Sequence, residues 1–318
     1  MFIKAPEFWY SKPALWIKCI LFPISKLYGL IAHSRYKNQY TNELKNDQYV
    51  IAVGGATVGG SGKTVVVKSF CKYLEDKGNS VAILSKGYGR KSRKVKRVDV
   101  KVDQYQTVGD EPLMMAKDFP VFVGKDRFET AQMAEEFKYL ILDDGITQRS
   151  LKPHKKIVVI NADQGFGNGE LLPLGPNRLD LEKIKFDIDA ICLIHEKANE
   201  KNISFELPAE IPVYRGYCKH NLSNLSGRLM AFCGIGFPRK FFQIFSNFEV
   251  CKTIAFPDHY PYKDEDLQQL IQEAARLQAQ LVTTEKDYMR IPEIYRSRIK
   301  TVGVDIVWEN SISDLFEK

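Results

Sequence analysis

Residues 49–78 constrain this chain more than any other stretch. A β-branched apolar run, YVIAVGG (49–55), leads into Thr57-Val58-Gly59-Gly60-Ser61-Gly62-Lys63-Thr64, and a helix-compatible segment, Lys63–Lys77, follows and stops at Gly78. The apolar run reads as a buried strand, and the glycines after it let successive N–H groups curl around phosphate oxygens. The positive end of the helix dipole lies just behind that cradle. Lys63 is placed to neutralise β/γ-phosphate charge, and the Thr64 hydroxyl to meet Mg²⁺. The loop departs from G-x-x-x-x-G-K-[ST] only at its first position, where Thr57 stands.

A strand, a phosphate cradle and a helix predict an α/β protein of the P-loop NTPase type. The remaining pattern agrees. Short apolar runs at 81–87, 120–124, 139–145, 156–163 and 189–195 alternate with helix-like segments, which implies a mostly parallel sheet covered on both faces. The pattern resumes with LMAFCGIG (229–236), a helix over Arg239–Asn247, CKTIAF (251–256), a helical run Lys263–Gln280, LVTTEKD (281–287) and TVGVDIVW (301–308). We read three parts: a lead-in with an N-terminal helix (1–48), a nucleotide-binding domain (49–200) and a smaller α/β domain (201–318).

A nucleotide site also needs a carboxylate at a strand end to hold its metal. Leu140-Ile-Leu-Asp143-Asp144-Gly145 has that form. A second acidic pair, Gly109-Asp110-Glu111-Pro112, reads by composition as an ordinary turn in a loop between strands. His259, in Phe256-Pro-Asp-His-Tyr-Pro261, reads first as a surface residue. Its neighbour Asp258 and its place just after a strand point only modestly toward chemistry.

Charge is unevenly placed. The net +7 comes from 46 basic and 39 acidic residues; residues 1–45 carry seven Lys/Arg against two Asp/Glu, and 85–101 eight against one. Those stretches supply +5 and +7, so the rest of the chain sums to −5. That distribution excludes a uniformly basic nucleic-acid binder and defines two local basic faces. The first surrounds Ala14–Ala32, a mostly apolar segment flanked by Trp9, Tyr10, Trp16 and Tyr28 among lysines and arginines. Aromatics and cations around an apolar stripe predict an amphipathic helix lying in a membrane interface. Lys18, Pro23 and Lys26 argue against a span, and no small-x-small cleavage site follows. The alternative is a helix packed on the protein's own core. The six scattered cysteines form no CxxC pair; they suit a reducing compartment and read as small buried apolar residues.

Taken together, the motifs resemble the tetraacyldisaccharide 4'-kinases, the lipid A 4'-kinases of Gram-negative bacteria. The resemblance rests on Pro6-Glu-Phe-Trp9, the 57–64 loop, Ser85-Lys-Gly-Tyr-Gly89, Val108-Gly-Asp-Glu-Pro112, Asp126-Arg127, Asp143-Asp-Gly145, Gly167-Asn-Gly-Glu-Leu-Leu-Pro173, Cys233-Gly-Ile-Gly236, Phe256-Pro-Asp-His-Tyr260 and Thr283-Thr-Glu-Lys-Asp287. A threonine at the first loop position is that family's habit. The resemblance implies Mg-ATP as phosphoryl donor and an acylated glucosamine disaccharide 1-phosphate as acceptor. It also implies work at the cytoplasmic face of the inner membrane, on an anionic leaflet, as a peripheral protein; no obligatory protein partner is evident. By position, Asp110 is the general base, with His259 tuning its proton affinity. Asp143, Asp144 and Thr64 serve the metal, with Glu111 joining its shell, and Arg127 is a phosphate contact beside the 57–64 cradle. The Lys86–Lys101 cluster sits beside lipid headgroups or the substrate phosphate, or is simply solvated.

The chain departs from that family in places. It reads Ile146-Thr147-Gln148 where Phe-Gln-His follows Asp-Asp-Gly, Gly55 for an Asn, Lys86 for an Arg, and Asn177 and Leu179 in the Gly-Pro-Leu-Arg-Glu run. These keep open a catalytically weakened homologue. A membrane-associated P-loop ATPase switch is a further alternative, though such loops carry a lysine where this chain has Val58. Replacing Lys63 by Ala should lower phosphoryl transfer by about 10²-fold or more while leaving the circular dichroism spectrum unchanged, because the lost charge faces phosphate from a loop. Transfer at the wild-type rate by this variant would remove the nucleotide-site assignment.

Overall fold

The computed structural model describes residues 6–198 and 203–317. Its strands are β1 (Tyr49–Gly55), β2 (Val81–Ser85), β3 (Lys96–Arg97), β4 (Val121–Val123), β5 (Tyr139–Asp143), β6 (Lys155–Asn161), β7 (Ala190–His195), β8 (Val213–Asn221), β9 (Arg228–Cys233), β10 (Glu249–Ala255), β11 (Gln280–Thr284) and β12 (Ile299–Trp308). They join one sheet in the order β10-β9-β11-β12-β8-β7-β6-β1-β5-β2-β4-β3. The apolar runs became strands because both sheet faces are covered: in β1, β2, β5, β6 and β7 nearly every residue is buried.

The pairing divides the sheet into two parallel blocks. From β4 to β8 neighbours run parallel, as they do from β10 to β12. The blocks meet at an antiparallel pair, β8 with β12. Within β12 the first residues, Ile299–Val302, pair with β11, and the rest, Gly303–Trp308, pair with β8 beginning at its last residue, Asn221. The second block is therefore stacked beyond the carboxyl edge of the first and runs toward it. The carboxyl edges of the two blocks face each other across a cleft. Ligands of open α/β sheets bind at such edges, and here two of them share one space.

Two strands escaped the sequence reading. β8 interrupts its apolar residues with Arg215, Gly216, Lys219 and His220, and β3 is a two-residue antiparallel edge. Gly109-Asp110-Glu111-Pro112 is not a simple loop: Asp110 opens a short helix, Asp110–Met115. The expected domain boundary at 200/201 lies outside the described residues. Cys71, Cys192 and Cys233 are buried as expected, whereas Cys19 is exposed and Cys218 and Cys251 are half-buried.

The N-terminal helix, Leu15–Lys37, contains Pro23 and is long and apolar enough to cross a membrane by length and composition. It docks along a narrow stripe instead of burying itself. Ser25 Oγ donates to the Leu171 carbonyl (2.8 Å), Tyr28 Oη to that of Arg178 (3.2 Å), and Gly29 lies against Leu171. The opposite face, Trp16, Ile20, Ile24, Leu27 and Ile31, is 46–67% exposed. The helix thus packs on the protein on one side and keeps an apolar row on the other.

The helix Lys63–Asp76 buries Val66, Val67, Phe70, Cys71 and Leu74, at the three- and four-residue spacing of one face. Phe70 is fully buried, stacked 5.8 Å from Trp308 of β12 and edge-on 5.2 Å from Phe316, while Trp308 Nε1 donates to Ser69 Oγ at 2.7 Å. This cluster ties the phosphate-loop helix to the strand that joins the blocks. Phe70→Ala should destabilise the protein by about 3–5 kcal/mol, measured by denaturant unfolding. A loss below about 1 kcal/mol would show that the helix does not depend on that contact.

Candidate active site

The phosphate loop leaves β1 at the carboxyl edge. Gly59, Gly60 and Gly62 have φ of 74°, 58° and 83°, a region in which side chains are strained. Gly60 has a second reason to be glycine: a Cβ there would fall 2.8 Å from the Phe237 ring, which comes from the opposing block. A Cβ on Gly55 would strike Ser61 Oγ at 2.5 Å, so the Asn expected there would require the loop to shift. The base of the loop is braced. Thr57 is buried and bridged to Asn177, and the Val58 N–H donates to the Pro176 carbonyl (2.9 Å). Lys63 Nζ lies 3.5 Å from Ser61 Oγ and 3.9 Å from Asp144 Oδ1, and Thr64 follows it in the first turn of the helix.

The acidic pair at the end of β5 is divided by its partners. Asp144, at φ 53°, is held by both guanidinium nitrogens of Arg178, at 2.5 and 3.0 Å. Burial works to raise its pKa, but Arg178 and Lys63 hold it below the usual carboxylate value. Asp143 is buried and accepts only the Ser85 hydroxyl, at 3.0 Å, among the side-chain donors of the described residues. Burial, with the nearby charges of Glu111 and Asp144, pushes it up to about 6. A buried carboxylate with no cation of its own is a donor suited to a divalent ion. No group of three His, Cys, Asp or Glu among the described residues forms a metal cage. Arg127 stands behind the pair: it is buried, and its guanidinium donates to the Gly124 carbonyl (2.7 Å) and the Asp143 carbonyl (3.2 Å).

Asp110 joins the two edges. It is 5% exposed. Its Oδ2 accepts from Arg290 Nη1 at 2.7 Å and lies 2.8 Å from His259 Nδ1; among the described residues its Oδ1 has only the Glu111 N–H, at 3.0 Å. His259 follows β10, at φ 57°, and its Nε2 lies 3.2 Å from Lys286 Nζ. An ammonium only donates, so Nε2 accepts, and the ring proton belongs on Nδ1, donated to Asp110. Burial alone would raise the Asp110 pKa; the His259 hydrogen bond, with the charges of Lys286 and Arg290, holds it well below the carboxylate range. Asp110 is therefore ionised at neutral pH. Lys286 also pairs with Glu111 at 3.1 Å, and burial, which would lower its pKa, is outweighed by Glu111, Asp110 and Asp258, which raise it.

A further layer fixes Arg290. Its Nη2 donates to Asp287 and to the Gly234 carbonyl (2.9 Å). Asp287, fully buried, also accepts from the Gly234 N–H (2.8 Å), Tyr262 Oη (2.7 Å) and Thr284 Oγ1 (2.6 Å). The structure thus forms two contact groups, Lys63 with Asp144 beside Asp143, and Asp110 with His259, Lys286 and Glu111, and the charge of Glu111 reaches Asp143. It adds residues to which sequence reasoning gave no role: Ser85, Arg178, Lys286, Asp287 and Arg290. Lys286 and Asp287 lie in a motif noted in the sequence. Nothing in the sequence ties Arg290 to an aspartate 180 positions away.

A phosphate cradle and a buried, ionised carboxylate on one carboxyl edge, the carboxylate held by an arginine and a histidine of the opposing edge, define a P-loop phosphotransferase. Residues 17–318 match the family described as LpxK, tetraacyldisaccharide-1-P 4'-kinase. A tetraacyldisaccharide 4'-kinase from Bartonella tribocorum is 34% identical over all of this chain and 94% of its own length. One from Bradyrhizobium sp. is 35% identical over 91% of this chain and 88% of its own. Among solved structures, LpxK from Aquifex aeolicus in complex with ATP superposes with a TM-score of 0.73 at 26% identity, covering 92% of this chain and 96% of that one. The chain belongs to the tetraacyldisaccharide 4'-kinase family and is an enzyme, a kinase.

The geometry of Arg290 sets a test. Arg290→Met leaves two buried carboxylates without their shared cation and should cost about 3–5 kcal/mol in denaturant unfolding. Arg290→Lys should recover only part of that, since an ammonium cannot reproduce the planar fork. A neutral Arg290→Met would mean that the two blocks are held together elsewhere.

Proposed function

We propose that this kinase transfers the terminal phosphoryl group of ATP to the 4'-hydroxyl of a tetraacylated glucosamine disaccharide 1-phosphate, at the cytoplasmic face of the inner membrane, with Asp110 as general base. The observation that carries the assignment is the free side of Asp110. Oδ2 is taken by Arg290 and His259, while Oδ1 accepts, among the described residues, only the Glu111 N–H and keeps a lone pair for a proton. A hydroxyl is a poor nucleophile at neutral pH, and a positioned carboxylate takes its proton as the new bond to phosphorus forms. His259, donating to Oδ2, is the positioning partner that sets the carboxylate's orientation and proton affinity.

The phosphate loop, residues 57–64, holds the triphosphate by its N–H groups, with Lys63 neutralising charge on the transferring group. Mg²⁺, when bound, neutralises charge shared between phosphate oxygens. Thr64 and Asp143 would hold it, because Arg178 engages Asp144 and Lys286 engages Glu111. Arg127, expected from the sequence to be a phosphate contact, is buried with its guanidinium on the Gly124 and Asp143 carbonyls, so it is assigned instead to positioning the strand end that carries Asp143. The ATP complex of the Aquifex aeolicus relative supports the nucleotide. The outward apolar row of the N-terminal helix, beside its lysines, supports a peripheral seat on an anionic leaflet.

Neither rival class is favoured. The family match runs from residue 17 to 318, beyond a nucleotide-switch core. The Ile146-Thr147-Gln148 departure is absorbed by packing: Ile146 is buried against Gly54, and Gln148 Oε1 accepts from the Leu151 N–H at 3.0 Å. The carboxylates and the phosphate loop are intact.

Asp110→Asn preserves shape but removes the proton acceptor. Transfer from labelled ATP to the disaccharide acceptor should fall by about 10²–10⁴-fold, with ATP affinity little changed. His259→Ala should also lower turnover, and the double variant should fall well short of the product of the single losses. Retention of most activity by Asp110→Asn, or strictly multiplicative losses, would overturn the assignment.

A further inference from the structure

The loop after β2, residues 86–95, has a composition that the chemistry above does not use. Lys86, Lys91, Arg93 and Lys94 have no acidic partner within ion-pair distance among the described residues. Lys96 and Arg97, next in the chain, pair with Asp103 and Glu136. The loop is also built to hold its shape. Arg90 turns its guanidinium inward onto the carbonyls of Lys94 (2.8 Å) and Arg93 (3.4 Å), and the Lys91 N–H donates to the Gln106 carbonyl (2.8 Å). Tyr88, between Gly87 and Gly89 at φ 67° and 76°, is 75% exposed but sets its ring 5.6 Å from that of His259, which ties the start of the loop to the site. A loop that spends one arginine on its own backbone and leaves four cations in solvent is a surface prepared for an anionic interface.

Its position identifies that interface. The loop leaves the carboxyl edge at β2, and the segment on which the N-terminal helix docks, 171–178, leaves the same edge after β6. In the sheet β2 and β6 are separated by β5 and β1, so the strands from which the two features leave stand about 14 Å apart, at three strand spacings. Between them lie the phosphate loop of β1 and the acidic pair of β5. The helix brings an apolar row and the loop brings charge. Neither is a complete anchor alone, since stable attachment usually takes two signals.

We propose that the 86–95 loop is a second membrane contact. It engages the anionic headgroups of the leaflet while the N-terminal helix inserts its apolar row, so that the two straddle the phosphoryl-transfer cleft and set its orientation toward a lipid acceptor. This rests on the membrane reading of the helix, and the experiment separates the two.

Full-length protein is sedimented with vesicles of phosphatidylcholine, with and without phosphatidylglycerol, and assayed as a kinase on acceptor dispersed in neutral detergent micelles. The Lys91→Gln/Arg93→Gln/Lys94→Gln variant should partition onto phosphatidylglycerol vesicles about a hundredfold less, near fivefold per charge. Its binding to phosphatidylcholine alone and its micellar KM and kcat should match wild type. The Ile20→Ser/Leu27→Ser/Ile31→Ser variant should lose binding to both vesicle types. The proposal is overturned if the loop variant binds phosphatidylglycerol vesicles within twofold of wild type. It is equally overturned if only the micellar KM rises, because the loop would then read the acceptor's own phosphate. The helix reading fails separately if the helix variant sediments as wild type does, and the kinase reading if wild type transfers nothing in micelles.

Discussion

The contact between Asp110 and Arg290 is the point on which the molecule turns. Both side chains are nearly sealed from water, and a carboxylate or a guanidinium buried alone would be costly. They lie 180 positions apart in the chain, and each is tolerated because the other is present. Arg290 is shared in turn with Asp287, whose oxygens are saturated by Gly234, Tyr262 and Thr284. The carboxylate proposed as the base is therefore held at the end of a buried polar network. Its low proton affinity and its fixed orientation have the same cause.

That contact depends on how the sheet is joined. Had β12 entered beside β8 in parallel, the second block would have run with the first, and its carboxyl edge would have pointed away. The antiparallel pairing of Gly303–Trp308 with β8, directly after Ile299–Val302 has paired with β11, turns the edges toward each other. The phosphate loop and acidic pair then face Phe237, His259 and Lys286. Asp110 belongs to the same block as the phosphate loop, and its partners His259 and Arg290 come from the other. The facing edges thus let the second block orient a carboxylate that the first block carries beside its phosphate loop.

The two carboxylates of the Asp143-Asp144 pair show how neighbours assign roles to identical side chains. Arg178 takes Asp144 by a two-pronged hydrogen bond and keeps it ionised, while Asp143, one residue earlier, is left with a serine hydroxyl and an elevated pKa. Arg178 belongs to the same 171–178 segment that receives the N-terminal helix through Tyr28 and braces the phosphate loop through Pro176 and Asn177. The helix and the phosphate site therefore share one support.

Much of this was legible in the sequence because it is local. The phosphate loop announces itself by glycine spacing between a strand and a helix. The strands of the first block are continuous apolar runs because both their faces are buried, and Asp143-Asp144 closes one of them. Other features depend on partners far away in the chain. Gly109-Asp110-Glu111-Pro112 reads as a turn until Arg290 and His259 arrive, and β8 has too many polar residues to look like a strand without β7 and β12 on either side. The sequence by itself determined the α/β class, the cradle for phosphate and the supply of carboxylates, since these follow from periodicity and residue chemistry over a few positions. Only the tertiary structure decided how each carboxylate is partnered: Asp110 by Arg290 and His259 of the opposing edge, Asp144 by Arg178, and Asp143 by a serine hydroxyl alone among the described side-chain donors. Those differences are set by burial and by charges from residues far away in the chain, and no spacing along the chain encodes them.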